Sequence, residues 1–279
     1  IGAEVNGAKA WIGLPFGFQL QPAELAKISI IVGMSMILSE RSHDSDAAQD
    51  KDVLQALVVA AIPVLLILKQ PDMGTIFIIS IAVVTIIAVS GAPMRWVVGL
   101  ILVAVIGSFA AVKVGVINDY QVKRLQAFVD PNSDSQGSGY QLRQARITVG
   151  SGGLIGTGLF NGPQTNGRFV PEQQTDFIFT VAGEELGFLG CGFILILYLT
   201  VLMRAFGIAR RSSDPYGKLV CTGVIAWFAF QAFENIGMTL GMMPMTGVPL
   251  PFVSYGGSSM FATMMGFGLL QNVHARHRG

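Results

Sequence analysis

The sequence has few charged residues for its length. They make up 13% of its 279 residues, whereas a soluble globular domain carries about 25%. This deficit excludes an ordinary soluble domain. The formal net charge is only +1 and no basic run interrupts the chain, so composition gives no support for a nucleic-acid-binding protein.

Cysteine is scarce as well. Cys191 and Cys221 are the only two, both fall in apolar stretches, and they do not form a CxxC motif. We therefore interpret them as packing residues, and predict neither a disulfide nor a cysteine metal site.

Apolar residues are abundant. They account for 52% of the chain, and the mean hydropathy is +0.58. They occur in blocks of about 20 residues, the length of helix that crosses roughly 30 Å of hydrocarbon. The sequence predicts an all-α polytopic membrane protein, a single membrane-embedded domain over residues 1–279. About seven transmembrane helices are expected, over residues 22–39, 53–69, 75–91, 96–116, 176–203, 219–243 and 258–273.

Three stretches do not fit a transmembrane helix. Residues 1–21 are predicted to be a loop, and 117–175 a single large loop of the kind that usually carries function or is disordered. Residues 245–259 contain two prolines and three glycines, which predicts a re-entrant or cavity-lining segment. Basic residues lie between spans five and six and after span seven, so the positive-inside rule places the large loop and the Pro/Gly segment outside.

Asp176 is the candidate catalytic residue. It lies where the large loop enters the fifth span, and an acid there is costly unless it is used. The alternative is a simple helix cap stabilised by the helix dipole. On a straight helix, Glu184 and Glu185 lie roughly 12–14 Å deeper, so a single general base is favoured over a carboxylate dyad. For Glu234, a structural partner and a substrate-binding group are equally weighted.

Other polar residues are candidates for binding substrate. Glu24 and Lys27 form an i,i+3 pair that either neutralises itself or contacts substrate, and Asp72 is either a cap or a ligand. The glycine-rich run 150–158 would let backbone N–H groups approach a phosphate, although a flexible connector is the simpler interpretation. The remaining substrate-binding candidates are Lys123, Arg124, Gln141, Arg143, Arg146, Thr175 and Ser254.

Five ordered motifs resemble the bacterial SEDS proteins (shape, elongation, division and sporulation), and the similarity covers nearly the whole chain. The motifs are Asn6 to Trp11 with Gln21 to Lys27, Gln70 to Thr75, Gly137 to Gln141, Pro171 to Phe179 with Gly183 to Gly187, and Pro249 to Ser259. The string Asp119-Tyr120-Gln121 with Arg124 is more similar to the rod-elongation branch, RodA-like, than to the division branch. Family members have ten spans, so the resemblance implies that three N-terminal spans are missing here.

The resemblance implies a peptidoglycan glycosyltransferase that polymerises lipid II, with Asp176 as the catalytic residue. A carboxylate takes the proton of the acceptor sugar's 4-hydroxyl, and cations stabilise the departing undecaprenyl diphosphate. Lys27, the loop arginines or a divalent cation (Mg²⁺ or Mn²⁺) would supply that charge, and no organic cofactor is expected.

The resemblance also implies a bacterial cytoplasmic membrane location, a site facing outside, and a class B penicillin-binding protein as partner. Two enzymatic or transport alternatives stay open at this point: a flippase for lipid II or another polyprenyl lipid, and a division-branch polymerase. A non-catalytic scaffold is the weakest, because it leaves the clustered acids unexplained.

Overall fold

The computed structural model describes residues 3–5, 8–13, 19–40, 48–70, 72–114, 119–130, 134 and 137–276. Within these ranges, three short strands precede ten helices. The strands are β1 (Ala3–Val5), β2 (Ala8–Gly13) and β3 (Gln19–Leu20). The helices are α1 (Pro22–Glu40), α2 (Asp50–Leu68), α3 (Met73–Val89), α4 (Met94–Val114), α5 (Asp119–Val129), α6 (Ser138–Ser151), α7 (Pro163–Asn166), α8 (Ile178–Arg211), α9 (Pro215–Leu240) and α10 (Gly257–Arg276).

The seven long helices coincide with the seven predicted spans, which confirms an all-α polytopic membrane protein. α1, α2, α8 and α9 are each long and apolar enough to cross a membrane, whereas α3 and the apolar part of α4 are shorter. The largest error in a boundary is at the end of α8. It runs to Arg211 because a helix can continue beyond the bilayer into its basic flank.

The prediction of a loop over residues 1–21 is wrong for the part that the structure describes. β2 pairs antiparallel with both β1 and β3, with Ala3 opposite Trp11 and Ile12 opposite Leu20. Residues 1–2, 6–7 and 14–18 lie outside the described residues. The sheet forms because antiparallel strands satisfy one another's backbone groups, which a count of polar residues does not detect.

The chain forms two compact units. The first comprises residues 1–110, 202–230 and 257–279. Within it, Gly223 has no side chain, so Ile31 and Ile86 pack directly against its backbone. The Ser258 hydroxyl donates to the Gln19 carbonyl at 2.7 Å and accepts from the Gln21 amide at 3.0 Å, which joins the start of α10 to the start of α1.

At the opposite end of α1 in this unit, α2 and α4 meet. The Arg95 guanidinium forms an ion pair with Asp50, and the Trp96 indole donates to the same carboxylate at 2.7 Å. In the predicted order of spans, the connections before the second and the fourth span lie on the same membrane face, and this contact agrees with that order.

The second unit comprises residues 111–201 and 231–256. The stretch 117–175 is not a structureless loop where it is described, because it contains α5, α6 and α7. Short helices satisfy the backbone of a long connection internally, so the segment can be ordered without a sheet.

The second unit also contains a break in α8 at Gly187, where φ is 68° and ψ is −168°. The backbone groups that the break exposes pair with the glycine-rich run. Thr157 and Gly158 donate to the carbonyls of Glu184 and Glu185 at 2.9 and 3.0 Å. In return, the amides of Phe188 and Leu189 donate to the carbonyls of Gly153 and Leu154 at 2.9 and 3.0 Å.

The glycine-rich run is therefore neither a flexible connector nor an open phosphate loop. A Cβ on Gly152 or Gly156 would overlap the carbonyls of residues 183–185, so these glycines allow two backbones to lie side by side. The expectation of a flexible connector is wrong, because these glycines provide close approach rather than mobility.

Candidate active site

Asp176 lies in a series of turns, not on a helix. Residues 171–177 turn before α8 begins at Ile178, and the amide of Asp176 donates to the Glu172 carbonyl at 3.2 Å. Glu172 adopts a left-handed φ of 53°, which is uncommon for a residue with a side chain. The straight helix assumed from Asp176 to Glu184 is therefore wrong over its first residues.

Three consecutive backbone carbonyls of this turn accept hydrogen bonds from residues outside it. The Gln174 carbonyl accepts from the Tyr255 amide at 2.9 Å, and the Thr175 carbonyl accepts from the Ser254 hydroxyl. The Asp176 carbonyl accepts from the Asn235 side-chain amide at 2.8 Å. Since all three bonds come from outside the turn, they fix its backbone while the Asp176 side chain is left half-buried.

The Pro/Gly segment supplies most of this support and is itself anchored. Asn235 donates a second bond to the Val248 carbonyl at 2.7 Å, and the Gln231 amide donates to Pro249 at 2.8 Å. The Tyr198 hydroxyl donates to the Pro251 carbonyl. The segment runs without regular structure over 244–250, as predicted from its prolines and glycines, and side chains of α8 and α9 bind the carbonyls that a helix would otherwise satisfy.

Gly247 brings the Asp176 carboxylate close to a guanidinium. It has a left-handed φ of 77°, and a Cβ on it would lie 3.0 Å from Asp176 Oδ2. The same point is 3.6 and 3.9 Å from the two terminal nitrogens of Arg124. Nη1 of Arg124 also donates to the Met245 carbonyl at 3.3 Å. The carboxylate and the guanidinium therefore converge on the space that a glycine leaves open.

An apolar cluster underlies the turn. It is formed by Leu142, Ala145, Val170, Phe177 and Met245, none of them more than 6% exposed. These residues come from α6, from both ends of the turn region and from the Pro/Gly segment. Their burial fixes the residue that follows Asp176 and so limits how far the carboxylate can move.

This arrangement suits proton transfer beside developing negative charge. A half-buried carboxylate on a rigid turn can accept a hydroxyl proton, since general bases must be held within hydrogen-bond reach of that proton. The neighbouring guanidinium supplies a permanent positive charge, which stabilises an oxyanion or a departing phosphate.

The described side chains contain no preformed cluster of ligands for a divalent cation. Among them, no group of three or more His, Cys, Asp or Glu lies together in a way that could hold a metal ion. The group that shares the space at Gly247 with Asp176 is a guanidinium, whose charge repels a second cation.

Glu24 and Lys27 form a buried ion pair in the first unit. The Lys27 Nζ lies 2.9 Å from Glu24 Oε1, and the two side chains are 2% and 3% exposed. The Lys27 ammonium also lies 4.9 Å from the centroid of the Trp227 ring, a cation–π contact. The pair neutralises itself, as one of the two sequence interpretations expected, and its predicted contact with substrate stays a prediction.

Asp72 caps α3 in the same unit. Its carboxylate accepts from the amide and the hydroxyl of Thr75 at 3.0 and 2.8 Å, and from the Gln21 side chain at 3.1 Å. This is the cap that the sequence offered as the alternative to substrate binding. Because Gln21 directly precedes α1, the bond places the starts of α1 and α3 at the same end of the first unit.

The remaining candidates divide into structural and accessible residues. Ser254 is 4% exposed, accepts from the Leu250 amide at 2.7 Å and donates to Thr175, so it supports the turn. Arg146 donates to the Gly241 carbonyl at 3.1 Å from an exposed position. Lys123 is exposed, and three further candidates are half-buried, namely Gln141, Arg143 and Thr175.

Sequence reasoning did not assign Asn235 and Gly247 to the site. Asn235 is fully buried in an apolar helix and binds two carbonyls. A buried amide within a span costs free energy unless it is hydrogen-bonded, and that cost was the available signal. Gly247 gave no comparable signal, since a glycine near prolines predicts only a turn.

The chain matches the family model described as cell cycle protein, FtsW/RodA/SpoVE, over residues 1–279. It is 36% identical over 277 residues to the peptidoglycan glycosyltransferase MrdB of Escherichia coli, covering 99% of this chain and 74% of that protein. It is 38% identical over 282 residues to a probable peptidoglycan glycosyltransferase FtsW of Tolumonas auensis, covering 100% of this chain and 72% of that protein.

Two solved structures have the same fold. One is a chain from a peptidoglycan synthase complex that coordinates polymerization and crosslinking, with a TM-score of 0.80, 31% identity, and coverage of 99% of this chain and 76% of that chain. The other is the rod shape determining protein RodA of Thermus thermophilus, with a TM-score of 0.68, 29% identity, and coverage of 100% and 73%. The resemblance inferred from the motifs is confirmed, and the chain belongs to the FtsW/RodA/SpoVE family of cell cycle proteins.

Proposed function

We propose that this chain polymerises lipid II into peptidoglycan glycan strands for cell elongation, with Asp176 as the general base. The prediction of a peptidoglycan glycosyltransferase is confirmed by the relatives that carry this name. The elongation-type assignment agrees with MrdB and RodA among the relatives, although division-type FtsW proteins are similarly identical.

The observation that carries the mechanism is the convergence of Asp176 and Arg124 at Gly247. The Asp176 carboxylate takes the proton from the acceptor sugar's 4-hydroxyl. The oxygen then bonds to the anomeric carbon of the donor, and the bond from that carbon to the diphosphate oxygen breaks. The electron pair leaves with undecaprenyl diphosphate, and Arg124 stabilises its negative charge.

The rigid frame beneath Asp176 supports this role. General-base catalysis typically contributes 10²–10⁴-fold, and it depends on holding the base at hydrogen-bond distance from the proton. Three external donors on residues 174–176 provide such a frame without occupying the carboxylate themselves.

The site is proposed to face the outside of the bacterial cytoplasmic membrane. The chain is an integral membrane protein with several apolar helices, and its basic short loops lie on the opposite face by helix parity. With the site at that surface, the lipid tails stay in the bilayer while the sugars reach Asp176.

A class B penicillin-binding protein is the proposed partner. A structural neighbour belongs to a complex that couples polymerization to crosslinking. A transpeptidase at the same surface would cross-link the strand that this chain produces.

The transporter alternative requires an acid within the span that can change partners. Glu184 does not suit that requirement, because its carboxylate accepts bonds from the backbone or side chains of Ser151, Gln164 and Thr165. The arrangement therefore favours transfer chemistry at Asp176 over carriage by Glu184.

The proposal is tested by polymerisation of purified lipid II with wild-type protein, Asp176→Asn and Asp176→Ala. Both variants should lose strand synthesis while they remain folded and bound to the partner. Gly257→Ala is the control, since a Cβ there meets nothing within 4 Å. Near-normal synthesis by Asp176→Ala would overturn the assignment, and parallel reactions with Mg²⁺, Mn²⁺ or a chelator test the predicted cation.

A further inference from the structure

Glu184 is a fully buried acid whose carboxylate is saturated with donors. Oε1 accepts from the Gln164 amide at 2.8 Å. The Ser151 hydroxyl lies 3.3 Å from the same oxygen and shares its single proton with the Thr148 carbonyl at 2.7 Å. Oε2 accepts from the amide and the hydroxyl of Thr165 at 2.8 and 2.6 Å. With 0% exposure, this carboxylate is stable because hydrogen bonds replace its lost hydration.

The neighbouring backbone is shaped around this carboxylate. A Cβ on Gly162 would lie 2.6 Å from Glu184 Oε2, a separation that real Cβ atoms do not show. Glycine at that position is therefore required for the carboxylate to reach the amides of residues 164 and 165. The backbone carbonyl of Glu184 is also bound, by the Thr157 amide at 2.9 Å and its hydroxyl at 3.2 Å.

Thr165 connects Glu184 to the turn that carries Asp176. Its carbonyl accepts from the Gln173 side-chain amide at 3.1 Å. Gln173 immediately precedes the three residues whose carbonyls are bound from the other side. The turn that carries Asp176 is thus bound at residues 174–176 by the Pro/Gly segment and Asn235. It is bound at Gln173 by the Thr165 carbonyl.

From these contacts we propose that Glu184 is a positioning residue for Asp176, acting through Thr165 and Gln173. The inference rests on the proposed function of Asp176. Glu184 does not touch the substrate. Its role is to fix residues 163–166, which in turn fix the start of the turn that aims the general base.

The first test compares Glu184→Gln with Glu185→Gln in the purified protein. An amide has one acceptor oxygen and one donor group, so Glu184→Gln places an NH₂ against two of the four donors. A misplacement of about 1 Å can cost about 100-fold in rate, so we expect kcat for lipid II polymerisation to fall by about 10- to 100-fold with KM nearly unchanged. Glu185→Gln is the control. Glu185 occupies the next position, is 7% exposed and lies outside the series of contacts from Glu184 to Gln173, so kcat should stay within about twofold of wild type.

The second test examines the intermediate residues. Thr165→Ser keeps the hydroxyl and should retain activity, whereas Thr165→Val should lower kcat as Glu184→Gln does. Gln173→Leu removes the bond to the Thr165 carbonyl. If the residues act in series, the double variant Glu184→Gln/Gln173→Leu should be no slower than the worse single variant.

A structural measurement separates this inference from the proposed function. Hydrogen exchange at the amides of residues 175–177, which bond to the Glu172 carbonyl, should accelerate in folded Glu184→Gln and not in Glu185→Gln. Unchanged exchange with unchanged kcat would overturn the positioning role, as would additive effects in the double variant. Activity retained by Asp176→Asn would overturn the proposed function instead, and the exchange result would still decide whether Glu184 fixes the turn.

Discussion

Two carboxylates at the start of α8 have opposite environments. Asp176 is half-buried, its backbone is fixed by three external donors, and its side chain shares the space at Gly247 with Arg124. Glu184 is fully buried, and four donor groups surround its carboxylate, of which the Ser151 hydroxyl is shared with the Thr148 carbonyl. At Asp176 the fold holds the main chain and presents the acid, whereas at Glu184 it uses the acid to hold the main chain.

The surroundings of a carboxylate in a membrane protein distinguish a structural role from a chemical one. Placing either acid at or in a membrane span costs free energy, so each is expected to have a structural or functional role. A carboxylate surrounded by donors stabilises structure, because both of its oxygens are hydrogen-bonded in the folded state. A carboxylate on a fixed turn with partial exposure can exchange a proton with a ligand, so Asp176 is the one suited to chemistry.

The largest effect on the Glu184 side is expected from Gly187→Ala. Alanine at φ 68° and ψ −168° is strained, and its Cβ would overlap the backbone of residues 155 and 156. We expect the free energy of unfolding to fall by about 3 kcal/mol or more. Urea or thermal unfolding in detergent measures this, with Gly192→Ala as the control in the same helix, where a Cβ meets nothing within 4 Å. Equal stability of the two variants would show that the break is not needed.

The next largest effect compares the two acids directly. Glu184→Ala leaves four donors without their acceptor, and should lower the free energy of unfolding by about 3 kcal/mol. Asp176→Ala should change it by less than about 1 kcal/mol, because its side chain is partly exposed. Unfolding curves for the two variants measure the difference. If Asp176→Ala were the more destabilising, the assignment of the two roles would be reversed.

A smaller effect is expected at the point where Asp176 and Arg124 meet. Gly247→Ala introduces a Cβ 3.0 Å from Asp176 Oδ2 at a φ of 77°. The carboxylate must shift, so kcat should fall by about tenfold or more, with about 1–2 kcal/mol of destabilisation. Lipid II polymerisation at saturating substrate measures the rate. A wild-type kcat in this variant would mean that the geometry at Gly247 does not matter for the reaction.

The smallest effects should separate two arginines. Arg124→Lys keeps the charge but loses the planar fork beside Asp176, so kcat/KM should fall by about tenfold. Arg146 lies on the Gly241 carbonyl and is exposed, so Arg146→Lys should change kcat/KM by no more than about threefold. The opposite order would identify Arg146 as the more important contact with the diphosphate.

The sequence predicted the membrane architecture well, for a physical reason. Apolar blocks near 20 residues have few alternatives to crossing the bilayer, so all seven long helices were anticipated within a few residues, apart from the end of α8. Asp176 was recognised because an isolated acid at the mouth of a span stands out by its cost. The irregular Pro/Gly segment was recognised because proline and glycine disfavour a helix.

What was missed depends on contacts between distant residues. Asn235 binds the Asp176 carbonyl across 59 positions, and Arg124 binds Met245 across 121. The break at Gly187 lies within an apolar helix, where one glycine gives no periodic signal. The glycine-rich run was interpreted as flexible because composition does not show that its partner is another backbone.

The central claim is that Asp176 performs chemistry rather than binding. The most direct test measures lipid II binding and strand synthesis by the same purified preparation of Asp176→Asn. We expect binding to stay within about twofold of wild type while synthesis falls by about 1,000-fold, within the range that a general base contributes. Synthesis within tenfold of wild type, or a loss that is explained entirely by weaker binding, would contradict it.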